Sequence, residues 1–198
     1  MNSAFDSNSY IVEPFDSSFC WVIDFGFVAT SDELRRLIDR PVAGVFLTHC
    51  HYDHICGLSK LIDLFPDCRV FGSQYTLEGL SDSKLNLSYY KGTPIEIRTE
   101  HQRVIQDQEV IVLFDHLPLH VIATPGHNEG CLSFVIDQYL FTGDSLIPGH
   151  EIVTKLKSGN KKEGKVSKQK LMELITEDTI ICAGHGKKVT GVEFFNLA

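Results

Sequence analysis

The stretch Thr48-His49-Cys50-His51-Tyr52-Asp53-His54 places three histidines and one aspartate within seven residues. It follows the apolar segment Val42–Leu47, which predicts a short buried strand, and it precedes the apolar segment 57–65, which predicts a helix. Ligand pairs on one helix face are three or four residues apart, whereas these side chains stand at i, i+2, i+4 and i+5. The spacing therefore predicts a loop that joins the strand to the helix. Imidazole nitrogens and carboxylate oxygens suit Zn²⁺, Fe²⁺ or Mn²⁺.

Three later motifs each place one further metal-ligand candidate directly after a predicted strand. The carboxyl ends of strands in open sheets meet in one groove, so the side chains are expected to converge there. A lone His or Asp in a loop is more often a solvated surface residue, but the dense first motif makes an accidental arrangement of the whole set improbable. The motifs are Thr124-Pro125-Gly126-His127, Thr142-Gly143-Asp144 and Gly184-His185-Gly186.

Composition narrows the class of protein. A length of 198 residues, 43% hydrophobic and 22% charged, predicts one globular domain spanning residues 1–198. The net charge of −8 argues against a nucleic-acid partner. The sequence has no apolar run of membrane-spanning length and no signal-peptide pattern at its start, so we expect a cytoplasmic protein without a membrane partner. The six cysteines form no CxxC pair and are expected to be reduced.

The pattern along the chain is strand and helix, then a strand meander, then helix and strand. Residues 73–108 show no clear pattern beyond a helix near 74–80, and 158–165 are polar and typical of a flexible loop. Helices are predicted from an N-cap at Ser31 and over residues 167–175. The predicted strands are 10–12, 20–23, 42–47, 69–72, 110–114, 119–123, 131–136, 139–142 and 179–183.

The four motifs, together with Asn8-Ser9-Tyr10 and Asp24-Phe25-Gly26, resemble the metallo-β-lactamase superfamily in identity and order. The resemblance implies an α+β fold, a four-layer αβ/βα sandwich of two mixed sheets flanked by helices. It also implies two divalent metal ions, with Zn²⁺ expected and Fe or Mn as alternatives. Under this resemblance, one metal is held by His49, His51 and His127, the other by Asp53, His54 and His185, and Asp144 bridges them.

Within the superfamily, the chain looks most similar to the glyoxalase II-like group, because it has Asp144 where a bridging carboxylate is expected. This implies hydrolysis of a thioester or related ester by a metal-bridging hydroxide, on a small anionic acyl substrate. Asp53 is the expected catalytic residue, which orients the hydroxide or carries a proton. Residues 145–150 lack the Gly-Arg signature of many small members, and the helical domain with which glyoxalase II grips glutathione is not among the 198 residues.

Several alternatives remain open on the sequence. The same scaffold is used by mononuclear-iron sulfur dioxygenases that act on persulfides, by lactonases and by β-lactamases, and a non-enzymatic binding module is a further possibility. Asp24 either orients the ligand loop or ends a strand in a turn, and Cys50 is expected to point into the core. The seven lysines between Lys155 and Lys170 are either a mobile lid for anionic substrates or a solvated surface.

Overall fold

The computed structural model describes residues 7–27, 30–98 and 100–197. The chain divides into two compact units, Met1–Val104 and Ile105–Ala198, and each contains one mixed β-sheet. Whether the two units behave as one domain stays a prediction. Within the described ranges, no helix is both long enough and apolar enough to cross a membrane.

The first unit is built on a five-stranded sheet with the strands in sequence order. The first two strands are antiparallel and the remaining neighbours are parallel. The strands are β1 (Tyr10–Val12), β2 (Cys20–Ile23), β3 (Val42–Phe46), β4 (Arg69–Gly72) and β5 (Gln102–Val104). The helices are α1 (Ser31–Leu37), α2 (Tyr52–Ile55), α3 (Leu58–Leu64) and α4 (Gln74–Gly79), and a 3₁₀ turn covers Ser88–Lys91.

The central strand β3 fixes the position of the first ligand motif. Val45, Phe46 and Leu47 are fully buried, as expected of a strand in a parallel sheet that is covered on both faces. The helix α3 that follows the motif packs Leu58 and Leu61 into the same core. The loop between them is therefore held at both ends, as the sequence predicted.

The second unit is built on a six-stranded sheet in the order β11-β10-β9-β8-β7-β6. Its only parallel pair within the described residues is β9 with β10, and α5 lies between these two strands in the chain. A parallel pair needs such a crossover, whereas the antiparallel meander β6–β9 needs only short turns. The elements are β6 (Val110–Phe114), β7 (Leu117–Ala123), β8 (Leu132–Ile136), β9 (Tyr139–Gly143), α5 (Lys161–Met172), β10 (Ile180–Ala183), β11 (Val189–Thr190) and α6 (Gly191–Leu197).

The structure corrects the prediction of a flexible loop at 158–165. Helix α5 begins at Lys161, because the Asn160 side chain caps it by accepting hydrogen bonds from the backbone N–H groups of Lys162 and Glu163. Gly164 and Ser167 are buried on one face of this helix. The lysine-rich composition obscured the short buried face, so the prediction placed the start of the helix six residues too late.

Smaller differences occur where the sequence pattern was weakest. The N-cap of α1 is Thr30 rather than Ser31, since Thr30 Oγ1 accepts the N–H of Glu33 at 3.1 Å. Strand β5 lies in the stretch without a clear pattern, and its three residues are all exposed. The two short elements after His185, β11 and α6, were not predicted.

Candidate metal centre

The first unit brings four of the predicted ligands together between β3 and α3: His49 and His51 lie on the loop after β3, and Asp53 and His54 lie in the short helix α2. The His49 and His54 side chains are fully buried, His51 is nearly so, and Asp53 is half-buried. The His49 ring centroid lies 4.6 Å from that of His51 and 4.1 Å from that of His54. Ligand atoms of three pairs, His49 with His51, His49 with His54, and Asp53 with His54, lie within 4.8 Å of each other. The loop thus gathers three imidazoles and one carboxylate.

Asp24, at the end of β2, orients this loop. Its Oδ1 accepts the backbone N–H of Thr48 at 2.7 Å, and its Oδ2 accepts the Thr48 hydroxyl at 2.7 Å. The same Oδ2 lies 2.7 Å from His54 Nδ1. Asp24 itself is buried and has a left-handed backbone, with φ of 50°. Of the two sequence interpretations, the structure supports the one in which Asp24 orients the metal-ligand loop.

The hydrogen bonds around Asp24 determine which nitrogen of each ring has a lone pair. A carboxylate only accepts, so His54 Nδ1 is the donor in its bond to Asp24. The Thr48 hydroxyl already donates to Asp24, so its oxygen accepts from His49 Nδ1, 3.1 Å away. In the neutral rings, the lone pair of both His49 and His54 is therefore on Nε2. Neutral imidazoles oriented in this way are what a metal site requires.

The second unit brings the other three predicted ligands together around one carboxylate oxygen. Asp144 Oδ2 lies 3.5 Å from Nε2 of His127 and 3.5 Å from Nε2 of His185. His127 Nδ1 donates to the carbonyl of Val153 at 2.7 Å, so the lone pair of the neutral ring is on Nε2. A lone pair and a carboxylate oxygen at this distance repel each other unless a proton or cation lies between them. The donor set therefore fits a divalent metal.

The turn that carries His127 is held by helix α5. The backbone N–H of Asn160 donates to the Gly126 carbonyl at 2.8 Å, and the Ser167 hydroxyl donates to the Pro125 carbonyl at 2.6 Å. Gly126 has φ of 139°, and a Cβ at this position would overlap the backbone of Gly164 in α5. The absence of side chains at these two glycines lets the helix lie directly on the turn.

A group of buried hydroxyls joins the strand ends that precede His127 and Asp144. The Ser145 hydroxyl donates to the Thr124 carbonyl at 2.9 Å, and the hydroxyls of Thr124 and Ser133 are 2.9 Å apart. The supporting contacts from Val153, Ser167 and Ser133 had not been predicted. A carbonyl such as that of Val153 has no sequence signal, since every residue supplies one.

The positions of Cys50 and of the lysines in α5 agree with a structural role rather than with a role at the metal centre. The Cys50 thiol is buried against Gly79 of α4 and lies 4.0 Å from the Leu85 carbonyl, which confirms that it points into the core. Lys161 and Lys162 form the exposed first turn of α5, and Lys170 pairs with Asp107 at 3.2 Å. These lysines lie on an ordered helix with a solvated face, which favours the surface interpretation over the mobile lid.

Comparison with known proteins places the chain in a family. The model described as "Metallo-beta-lactamase superfamily" matches residues 3–185. Among solved structures, the chain is similar to BLEG-1 B3 metallo-beta-lactamase (TM-score 0.86, 24% identity, covering 98% of this chain and 93% of that one). It is also similar to TTHA1623 in a di-iron-bound form (TM-score 0.79, 24% identity, 96% and 93%) and to ETHE1 from Myxococcus xanthus (0.70, 21%, 97% and 78%). At these identities the likeness shows the fold alone, and it confirms the predicted class of two mixed sheets flanked by helices.

Proposed function

Because this chain belongs to the metallo-β-lactamase superfamily, we propose that it is a dinuclear metal-dependent hydrolase of a thioester or related ester. The members of this superfamily are generally metal-dependent hydrolases. The observation that carries the proposal is the position of Asp144, whose Oδ2 is equally distant from the Nε2 atoms of His127 and His185. A carboxylate between two imidazoles would be able to hold metal together with either of them, which supports the assignment of Asp144 as a shared ligand.

The proposal assigns each of the seven predicted ligands to a metal. His49, His51 and His127 would hold one metal, Asp53, His54 and His185 would hold the second, and Asp144 would be shared. The ring nitrogens of histidine and the carboxylate oxygens of aspartate are atoms that could hold a metal ion. The buried imidazoles of His49, His54 and His127 are already oriented through their Nδ1 atoms, so little ordering of these three is left for the metal to impose. Zn²⁺ is the expected metal, with Fe or Mn as alternatives.

The chemistry of a hydrolase follows from these groups. Two bound metals supply a water activated at neutral pH and a Lewis acid for the scissile carbonyl. Asp53 is half-buried on the first turn of α2, where its carboxylate can accept a proton and pass it to the leaving group. Asp24 and Thr48 hold His49 and His54 in place. The exposed Lys155 and Lys157 follow Val153, whose carbonyl orients His127, so an anionic acyl substrate is the expected class.

We propose glyoxalase II-like hydrolysis of a hydroxyacyl thioester as the lead activity. A second candidate is hydrolysis of a β-lactam amide, which is favoured by the similarity to a protein described as a B3 metallo-beta-lactamase. Iron as the resident metal is favoured by the similarity to a protein described in a di-iron-bound form. Lactones are a further ester class for the same substrate panel.

Metal content and substrate turnover test the proposal together. The protein, purified without added metal, is analysed for metal per chain and assayed on a hydroxyacyl thioester, a lactone and a β-lactam. We expect about two equivalents of metal and fastest turnover on the thioester. The variant Asp144→Asn should lose both metal and turnover, whereas Asp137→Asn, on the exposed β8–β9 turn, should keep both.

Two outcomes would overturn the proposal in different ways. A single equivalent of iron, with oxygen uptake on a persulfide and no ester hydrolysis, would replace the hydrolase with a sulfur dioxygenase. A full metal complement without turnover on any of the three substrate classes would instead indicate a binding module.

A further inference from the structure

A cavity of about 280 Å³ lies within the second unit, away from the ligand residues themselves. It is open to solvent on one side and is lined by residues of the segment Leu146–Glu151, of α5 and of α6. Its floor is apolar: Leu146 and Phe194 are buried, and Met172 is partly buried. The exposed Leu197 forms a further apolar wall. A hydrophobic cavity of this size, close to the lower limit of ordinary ligand sites, fits a narrow chain rather than a large ring system.

The rim of the same cavity carries charge. Lys168 of α5 lines it, with its amine 3.7 Å from the Glu151 carboxylate. The Glu151 side chain is 96% exposed, whereas that of Lys168 is 33% exposed. An ion pair with so exposed a partner is weak and is readily exchanged. His150, also at the rim, offers a ring nitrogen as a second hydrogen-bonding group.

We propose that this cavity binds an unbranched aliphatic carboxylate, with its chain on the apolar floor and its carboxylate on Lys168. The ligand would displace Glu151, which turns into solvent without leaving a buried charge unpaired. The cationic rim selects an acid over an alcohol or an amine of equal length. This proposal goes beyond the hydrolase function and does not rest on it, since binding requires neither metal nor turnover.

The sequence supplies a specific reporter for the test. The chain has two methionines, Met1 and Met172, and Met172 lines the cavity. Protein labelled with ¹³C at the methionine methyl groups therefore gives one NMR signal from the cavity and one from the N-terminus. Octanoate is titrated into the full chain, with acetate present throughout to saturate any carboxylate binding at a metal. We expect the Met172 signal to shift as octanoate is added.

The chain length and the head group of the ligand are then varied, so that the apolar and the ionic contributions to binding are measured separately. Affinity should rise about fourfold for each methylene from butanoate upward and level off once the cavity is filled. Lys168→Gln should weaken octanoate binding several-fold and leave octanol unchanged. Glu151→Gln should tighten octanoate binding, because it removes the competing carboxylate. Lys165→Gln, an exposed lysine of the same helix that does not line the cavity, is the matched control.

The proposal has clear failing outcomes. It is overturned if the Met172 signal does not respond to octanoate, or if octanoate and octanol lose affinity equally in Lys168→Gln. Affinity that is independent of chain length would also overturn it. Because metal content and ester turnover are not measured in this experiment, its failure would leave the hydrolase proposal untouched, and failure of the hydrolase proposal would leave this one standing.

Discussion

At the scale of single residues, Asp24 holds the ligand loop through its carboxylate although it is not itself a proposed ligand. One carboxylate accepts the Thr48 N–H, the Thr48 hydroxyl and the His54 Nδ1–H. Replacing Oδ1 by an amide group would remove the acceptor of the Thr48 N–H, whereas replacing Oδ2 would remove the acceptor of both the Thr48 hydroxyl and the His54 Nδ1–H. Groups that orient metal ligands in this way commonly contribute about 10- to 100-fold to metal affinity.

We predict that Asp24→Asn lowers metal affinity by about 10- to 100-fold, measured by competition with a chromophoric chelator. Asparagine tolerates the left-handed backbone at this position, where φ is 50°, so the fold should survive. Asp137→Asn is a matched control, because Asp137 has the same φ of 50° on an exposed turn. If Asp24→Asn left the metal affinity unchanged, Asp24 would be a turn residue at the end of a strand and would not orient the metal ligands.

The buried thiol of Cys68 gives a second prediction at this scale, on pH and stability. Burial raises its pKa to about 12, with Cys20 adding to the rise. The folded thiol thus keeps its proton to a higher pH than the unfolded one. Its contribution to stability is complete below pH 9, the ordinary pKa of a cysteine thiol, and is lost as the pH rises through about 12.

We therefore predict that Cys68→Ala costs the most stability near neutral pH and progressively less in alkali. The difference in unfolding free energy from the parent should shrink by up to about 1.4 kcal/mol per pH unit above 9. Urea unfolding at several pH values measures it. Val70→Ala removes a buried side chain that does not titrate, so its cost should not change with pH. If the stability cost of both variants changed with pH in the same way, the pH dependence would not come from the Cys68 thiol.

At the scale of elements, helix α5 decides where His127 lies. The helix contacts the preceding turn through the Asn160 N–H, the Ser167 hydroxyl and the close approach of Gly164 to Gly126. The loop before the helix supplies the Val153 carbonyl to His127 Nδ1. One segment therefore sets both the position and the tautomer of this ligand.

We predict that Gly126→Ala destabilises the protein and weakens metal binding, because its Cβ would overlap the Gly164 backbone. Gly92→Ala is the control, since Gly92 also has a positive φ, of 75°, but a Cβ there meets nothing within 4 Å. The control should cost about 1–2 kcal/mol for its backbone alone. Gly126→Ala should cost a further 1–3 kcal/mol for overpacking. Thermal unfolding measures the loss of stability, and metal analysis measures the loss of binding. If Gly126→Ala and Gly92→Ala lost equal stability, helix α5 would be able to move away from the turn without cost.

At the scale of the whole molecule, the proposed metal ions are ligands of the folded chain, because their proposed ligands are spread along the sequence from His49 to His185. A ligand that binds only the folded chain stabilises it according to its free concentration and affinity. Metal binding and global stability should therefore be linked.

We predict that removing metal with a chelator lowers the Tm, and that adding Zn²⁺ restores it in a concentration-dependent way. At a free metal concentration 100 times the Kd, the gain is about 2.7 kcal/mol. Calorimetry with and without chelator measures it. The variant Asp144→Asn should melt at nearly the same temperature in both conditions. A parent Tm that does not change when the chelator is added would contradict the proposed metal site.

Local patterns were sufficient for most elements and failed in identifiable places. Strands such as β2 and β3 were predicted because their residues are apolar and bounded by turns. Strand β5 has three exposed residues, and it forms because its backbone pairs with that of β4. Helix α5 is capped by Asn160 and buries small residues, which a search for large apolar side chains does not detect.

The sequence alone determined which ligands exist, their order and their placement at strand ends, because strand-end loops follow directly from local patterns of apolar residues and glycines. It also determined the family, which the match over residues 3–185 confirms. Only the tertiary structure decided the contacts of Asp24 with Thr48 and His54, the equal distances from Asp144, and the cavity beside Lys168. These features join residues far apart in the chain, so they depend on how the elements pack and leave no local trace in the sequence.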